Sequence, residues 1–166
     1  MQKIDFSHLI GGNPLCVACN LSFNGLSVTD LKALPDTGAD GLAFINRTCT
    51  VAIGSFLGVK ARKLPCPIYP QGYEGQQGTP ITHFIGFDLT IDSCKLVKIP
   101  FLILELGRTN IILGLKWLAY FNIQVDAANH KLQWPESIPP DYNQSFARQI
   151  YCSYKQLNHW PPEREH

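Results

Sequence analysis

Apolar and polar residues alternate along much of this chain, and the alternation is broken by glycine, proline and Asn-Gly or Asp-Ser pairs rather than by long helical stretches. Two strand-like runs, Leu15 to Phe23 and Leu26 to Leu34, are split by Asn24-Gly25, a pair suited to the positive φ angles of a tight hairpin turn. Further on, Ile85, Phe87, Leu89 and Ile91 alternate with Gly86, Asp88, Thr90 and Asp92, which predicts a strand with one face buried. Asp92-Ser93 then turns the chain, and the almost continuous apolar run Ile99 to Leu106 predicts a core strand. Helical signals are short. Phe44 to Leu57 predicts a helix with Asn46 as its cap and Gly58 as its end, although Thr48, Thr50, Val51 and Ile53 lower its propensity. Leu115 to Phe121 predicts a second, bearing Trp117 and Leu118. Pro65 to Pro80 is turn-rich, with Gly72, Gly75 and Gly78, and is unsuited to a buried helix. The expected class is all-β with one or two short helices. Residues 1–13 read as a flexible arm or fragment boundary, residues 14–135 as the domain, and residues 136–166, with Pro139, Pro140, Pro161 and Pro162, as a linker or surface tail.

The candidate chemistry lies where the first hairpin ends. Leu34-Pro35-Asp36-Thr37-Gly38-Ala39-Asp40 places a carboxylate in a tight turn directly after an apolar strand. Gly38 allows backbone that a Cβ would oppose, and the Thr37 hydroxyl can brace a neighbouring turn. Peptide hydrolysis by carboxylates takes two of them, one to deprotonate a water and one to protonate the carbonyl oxygen. This chain has one such turn: Asp92-Ser93-Cys94 lacks the glycine, and Asp126-Ala127-Ala128 lacks both hydroxyl and glycine. A second chain must therefore supply the partner, and a two-fold homodimer is expected.

Downstream stands Asn110-Ile111-Ile112-Leu113-Gly114-Leu115-Lys116-Trp117-Leu118, followed by Ile123-Gln124-Val125-Asp126. An Asp-Thr-Gly-Ala turn followed by apolar-apolar-Gly resembles the retropepsin-like aspartic proteases, most closely the protease segment of gypsy-type long-terminal-repeat retrotransposon polyproteins. The resemblance covers about residues 13 to 135. It implies a closed barrel with a flap hairpin, active as a two-fold homodimer, in which Asp36 is catalytic and no metal or organic cofactor takes part. It also implies support from Thr37, Gly38, Ala39, Ile112, Leu113 and Gly114. Substrate backbone would be held by Gly38 and Asp40 and by a flap tip that includes Gly72, Tyr73, Glu74 and Gly75. The pattern departs at Leu115, where many retroviral members carry an Arg that braces the acidic residue corresponding to Asp40; Lys116 is the neighbouring cation. The implied activity is an aspartic endopeptidase that processes a polyprotein. Two alternatives stand beside it: a catalytically silent, retroelement-derived dimerisation or binding module, and a cellular protease with a substrate other than its own polyprotein.

Composition adds limits. With 166 residues, 45% hydrophobic and 16% charged, the chain can build one core. The formal net charge of +1, without dense Lys/Arg clusters, argues against nucleic-acid partners. No apolar stretch reaches the roughly eighteen residues of a membrane span, and Met1 to Asp5 does not lead into a signal-peptide core, so a cytoplasmic setting without membrane partners is expected. The cysteines then read as free thiols. Cys16-Val17-Ala18-Cys19 lies on a strand, where residues three apart face opposite sides, and makes no metal site. Trp117 and Trp134 read as core anchors.

Overall fold

The computed structural model describes residues 6–9, 14–70 and 79–136. After a 3-10 turn at Phe6–Leu9, the chain forms β1 (Val17–Phe23), β2 (Leu26–Pro35), β3 (Ala43–Asn46), α1 (Arg47–Leu57), β4 (Arg62–Ile68), β5 (Ile81–Ile91), β6 (Cys94–Leu104), β7 (Ile111–Leu113), α2 (Leu115–Tyr120), β8 (Gln124–Asp126) and β9 (Lys131–Gln133). One sheet runs β1-β2-β7-β3-β6-β5-β4, and a further pairing of β1 with β5 closes six of these strands into a barrel with β4 outside the ring. The expected all-β closed barrel with two short helices is the observed architecture.

Local chemistry accounts for the turns. Asn24 and Gly25 both take positive φ, 52° and 78°, and join β1 to β2 as the Asn-Gly pair predicts. Asp92 and Ser93, at 49° and 66°, do the same between β5 and β6. Gly58 adopts the left-handed conformation and ends α1, with the Val59 N–H donating to the Gly54 carbonyl at 2.9 Å.

Three expectations need correction. Phe44 to Leu57 is not helical throughout, because Ala43–Asn46 forms a fully buried strand and α1 begins only at Arg47. The β-branched and aromatic residues there are used for sheet packing, which overrides the weak helical pattern. Asn46 stands at the helix entrance but makes no side-chain cap. Its amide donates instead to the Gly107 carbonyl at 2.8 Å, and its Oδ1 accepts the Leu106 N–H at 3.5 Å. Pro65 and Pro67 fall inside β4 rather than in a loop; β4 is an edge strand, where a missing N–H leaves no ladder bond unmade.

The main core fills the barrel, with Leu21, Ile45, Phe87, Leu89, Phe101, Ile111 and Leu113 all buried. α2 closes one side through Trp117, which is buried against Phe121 and meets the Trp134 ring edge-on at 5.9 Å. Trp134 Nε1 donates to Asp92 Oδ2 at 2.8 Å, tying the end of β9 to the β5–β6 turn. A second, smaller cluster of Phe44, Leu64, Ile81, Phe84 and Leu102 has Ala39 and Ile112 half-buried against it.

Cys16, which stands just before β1 rather than in it, is exposed, and Cys19 within β1 is buried. Burial pushes the Cys19 thiol from 9.0 up to about 12. Its thiolate is thus disfavoured in the folded chain, and iodoacetamide at pH 8 should modify Cys16 rapidly and Cys19 only after unfolding, as peptide mass mapping would show. The unfolded thiol ionises first as pH rises. The contribution to stability is therefore full below pH 9.0 and is lost as the pH climbs towards about 12. Rapid labelling of Cys19 in the folded protein would contradict this.

Candidate active site

β2 and β3 are consecutive in sequence yet do not pair; β7 lies between them, parallel to β2 and antiparallel to β3. The chain leaving β2 must therefore arch over the end of β7 before it can return as β3, and residues 36–42 make that arch. Asp36 sits at its start. Its N–H donates to the Leu113 carbonyl at 2.9 Å, extending the β2–β7 ladder by one residue, and its carbonyl accepts the Ala39 N–H at 3.1 Å to close a tight turn. The Gly38 N–H donates to Asp36 Oδ1 at 2.9 Å, so the side chain is held by its own turn. Asp36 Oδ2 has no hydrogen-bond partner among the described residues. Asp36 is half-buried while Thr37 and Gly38 are exposed, so the carboxylate is fixed at the base and open at the front.

The second motif braces the arch from behind. The Gly114 N–H donates to the Leu42 carbonyl at 2.8 Å, the Leu115 N–H to Ala39 at 3.0 Å, and the Lys116 N–H to Gly41 at 3.0 Å. Three successive amides at the start of α2 thus satisfy three carbonyls of residues 39–42. This geometry requires glycine at 114: a Cβ there would run into the Gly41 carbonyl oxygen and lie 3.0 Å from the Ala39 oxygen. Both obstacles are backbone, so no rotamer change relieves them. Gly114→Ala should lower stability by up to the upper end of the roughly 1–3 kcal/mol that overpacking costs. That corresponds to a melting-temperature drop on the order of 10 °C. A thermal melt matching the parent chain would show that the arch and α2 are not locked together in this way.

The residues singled out from the sequence divide into those the structure gathers and those it does not. Asp36, Thr37, Gly38 and Ala39 form the turn, and Leu113 and Gly114 are buried directly behind it. Ile112 is half-buried with Ala39 on the second apolar cluster, which places an apolar wall beside the carboxylate. Asp40 is exposed and forms no ion pair with Lys116 or with any other cation among the described residues. Leu115 is 48% exposed, and among the described residues no cation takes the place of the Arg. Gly72, Tyr73, Glu74 and Gly75, assigned to the flap tip, lie outside the described residues.

Sequence reading missed two groups of supporting residues. Gly41 and Leu42 act through their carbonyls, which carry no side-chain signal. Asn46 and Asn110 hold the connection from β6 to β7: Asn110 Oδ1 accepts the Lys32 N–H at 3.2 Å, and its Nδ2 lies 3.2 Å from Cys49 Sγ. Asn110 thereby fixes the start of β7 against β2 and α1. A hint was present in the sequence, since each Asn borders an apolar strand, but the pairing spans 60 or more residues.

The other carboxylates with adjoining turn residues are engaged elsewhere. Asp92 holds the Trp134 indole. Asp126 accepts from Asn129 Nδ2 at 2.8 Å, from the Asn129 N–H at 3.2 Å and from Gln133 Nε2 at 3.4 Å, bonds that hold its carboxyl below the usual carboxylate range. Both serve turns.

Comparison with solved structures identifies the fold. The retroviral protease-like domain of Ddi1 from Leishmania major superposes with a TM-score of 0.52 at 19% identity, covering 76% of this chain and 92% of that one. The fold is retropepsin-like. No protein-family model matches the sequence, and no curated protein matches it. In this retropepsin-like barrel the Asp36 arch and the Leu113-Gly114 brace are the two ends of one β2-β7-β3 unit. Among the described residues, no helix is long and apolar enough to cross a membrane.

Proposed function

We propose that this chain is an aspartic endopeptidase of the retropepsin type that cleaves extended peptides as a two-fold homodimer, with Asp36 of each protomer at the axis. The observation that carries the proposal is the held Asp36 carboxylate: Oδ1 is bound to the Gly38 N–H, Oδ2 is without a partner among the described residues, and the turn is locked to β7. A lone exposed turn carboxylate would need no such locking.

Two adjacent carboxylates share one proton, because two negative charges in contact are disfavoured. The ionised Asp36 takes a proton from a water molecule, and the water oxygen attacks the scissile carbonyl carbon. The protonated Asp36 gives its proton to the carbonyl oxygen. Collapse of the tetrahedral intermediate breaks the C–N bond as the nitrogen takes up a proton, and the pair returns to one shared proton. The apolar wall of Ile112, Ala39 and the Phe44 cluster receives an apolar substrate side chain beside the scissile bond. Asp40, which pairs with no cation among the described residues, accepts from the peptide backbone. The natural task is polyprotein processing in a gypsy-type retroelement, in the cytoplasm.

The unpaired Asp40 and exposed Leu115 favour a second reading, in which the fold survives as a silent dimerisation or binding module. A peptide-library digest of the purified chain, read by mass spectrometry with and without a statine-type transition-state mimic, separates the two. Statine-sensitive cuts are expected. An intact library, with a correctly folded and dimeric protein, would select the silent module.

A further inference from the structure

Outside the catalytic arch, a cavity of about 310 Å³ opens between the first turns of α1 and the start of β5. Val51, Ala61 and Ile103 give it apolar surface, while Arg47, Thr50, Thr82 and His83 supply its polar groups, the Thr50 hydroxyl already donating to the Asn46 carbonyl at 2.9 Å. Among the described residues, no carboxylate lines it. Thr82 Oγ1 and His83 Nδ1 lie 2.8 Å apart, which fixes the imidazole and leaves Nε2 without a partner among the described residues. The Arg47 guanidinium likewise has no ion pair or hydrogen bond there. Lys63 stands directly opposite His83 in the β4–β5 ladder, so its side chain emerges on the same face of the sheet as His83. The first turn of α1 holds no acidic residue that would offset these charges.

A concave apolar surface with a few convergent polar groups is the usual form of a small-ligand site, and this volume is at the lower end of the usual range. A guanidinium offers a fork that matches a carboxylate, and the Thr82–His83 pair, bonded to each other, adds a further donor beside it: with the Thr82 hydroxyl donating to Nδ1, the His83 Nε2–H is left to bind the ligand. The geometry points to a binding site for an organic carboxylate: an apolar body against Val51, Ala61 and Ile103, with its charged group between Arg47 and His83. Such a group comes either from a small organic acid or from an acidic side chain of a peptide flanked by apolar residues. The site is separate from Asp36, since β3 runs from the catalytic arch to Arg47 and the cavity lies at its far end.

Two-dimensional ¹H–¹⁵N spectra of the whole chain, titrated with sodium benzoate, test this without reference to catalysis. Saturable shifts in the millimolar range are expected at Arg47, Val51, Thr82 and His83. Benzyl alcohol, a neutral analogue, should cause far smaller ones. Arg47→Gln and His83→Gln should each weaken benzoate binding about tenfold, the loss expected for one charge-assisted hydrogen bond. Both residues lie on the surface, and dispersed spectra of the variants would show that they fold. A parallel titration with acetyl-Leu-Asp-Leu-amide identifies the source: tighter binding than benzoate selects a peptide side chain, weaker binding a small acid. Absence of saturation, equal shifts with benzyl alcohol, or unchanged affinity in both variants would overturn the proposal.

Discussion

Asp36→Asn is expected to lower peptide cleavage by well over ~100-fold, the scale set by a group essential to acid-base catalysis. The amide keeps the shape of the carboxyl, and its oxygen can still accept the Gly38 N–H that holds the side chain at 2.9 Å. The backbone bonds from Asp36 to Leu113 and Ala39 are untouched. Melting temperature should therefore stay close to that of the parent, and sedimentation should give the same oligomeric state. What disappears is the ionisable group to which the proposed mechanism assigns the proton transfer from water. The combination is diagnostic: a loss of cleavage with loss of fold would report only on the turn, whereas a loss of cleavage with fold and assembly intact assigns the chemistry to the carboxylate. Parent-level cleavage by the variant would remove Asp36 from the mechanism.

The sequence made the fold legible wherever short-range chemistry decides structure. Asn24-Gly25 and Asp92-Ser93 turn the chain as their residue types require, and the alternation through Ile91 marks β5 correctly. β3 was hidden because its four residues are all buried and run directly into α1, so no polar alternation or turn separates strand from helix. β4 was hidden by its prolines, which an edge strand tolerates and a central strand would not. The Asp36 turn and the Leu113-Gly114 brace could be read as motifs, but the hydrogen bonds that join them could not. They depend on β7 inserting between β2 and β3, a long-range pairing set by the barrel as a whole. The Asn46 and Asn110 clamps have the same origin: each uses a side-chain amide to satisfy backbone groups far away in sequence, a role no local pattern encodes.

The central claim is that each active site is built from the Asp36 of two protomers, and mixing subunits tests it most directly. Parent and Asp36→Asn chains are combined at fixed total protein, allowed to exchange, and assayed for peptide cleavage across the full range of ratios. A heterodimer holds one carboxylate, which cannot act both as base towards water and as acid towards the carbonyl oxygen, so it should be nearly inactive. With equal association of the two chains, active dimers form as the square of the parent fraction, and an equal mixture should retain about a quarter of the parent activity. Native mass spectrometry of isotopically labelled chains confirms that exchange is complete. Activity following the square is the predicted result; a strictly linear fall, with exchange confirmed, would show that one chain holds a complete site and would contradict the shared-dyad account.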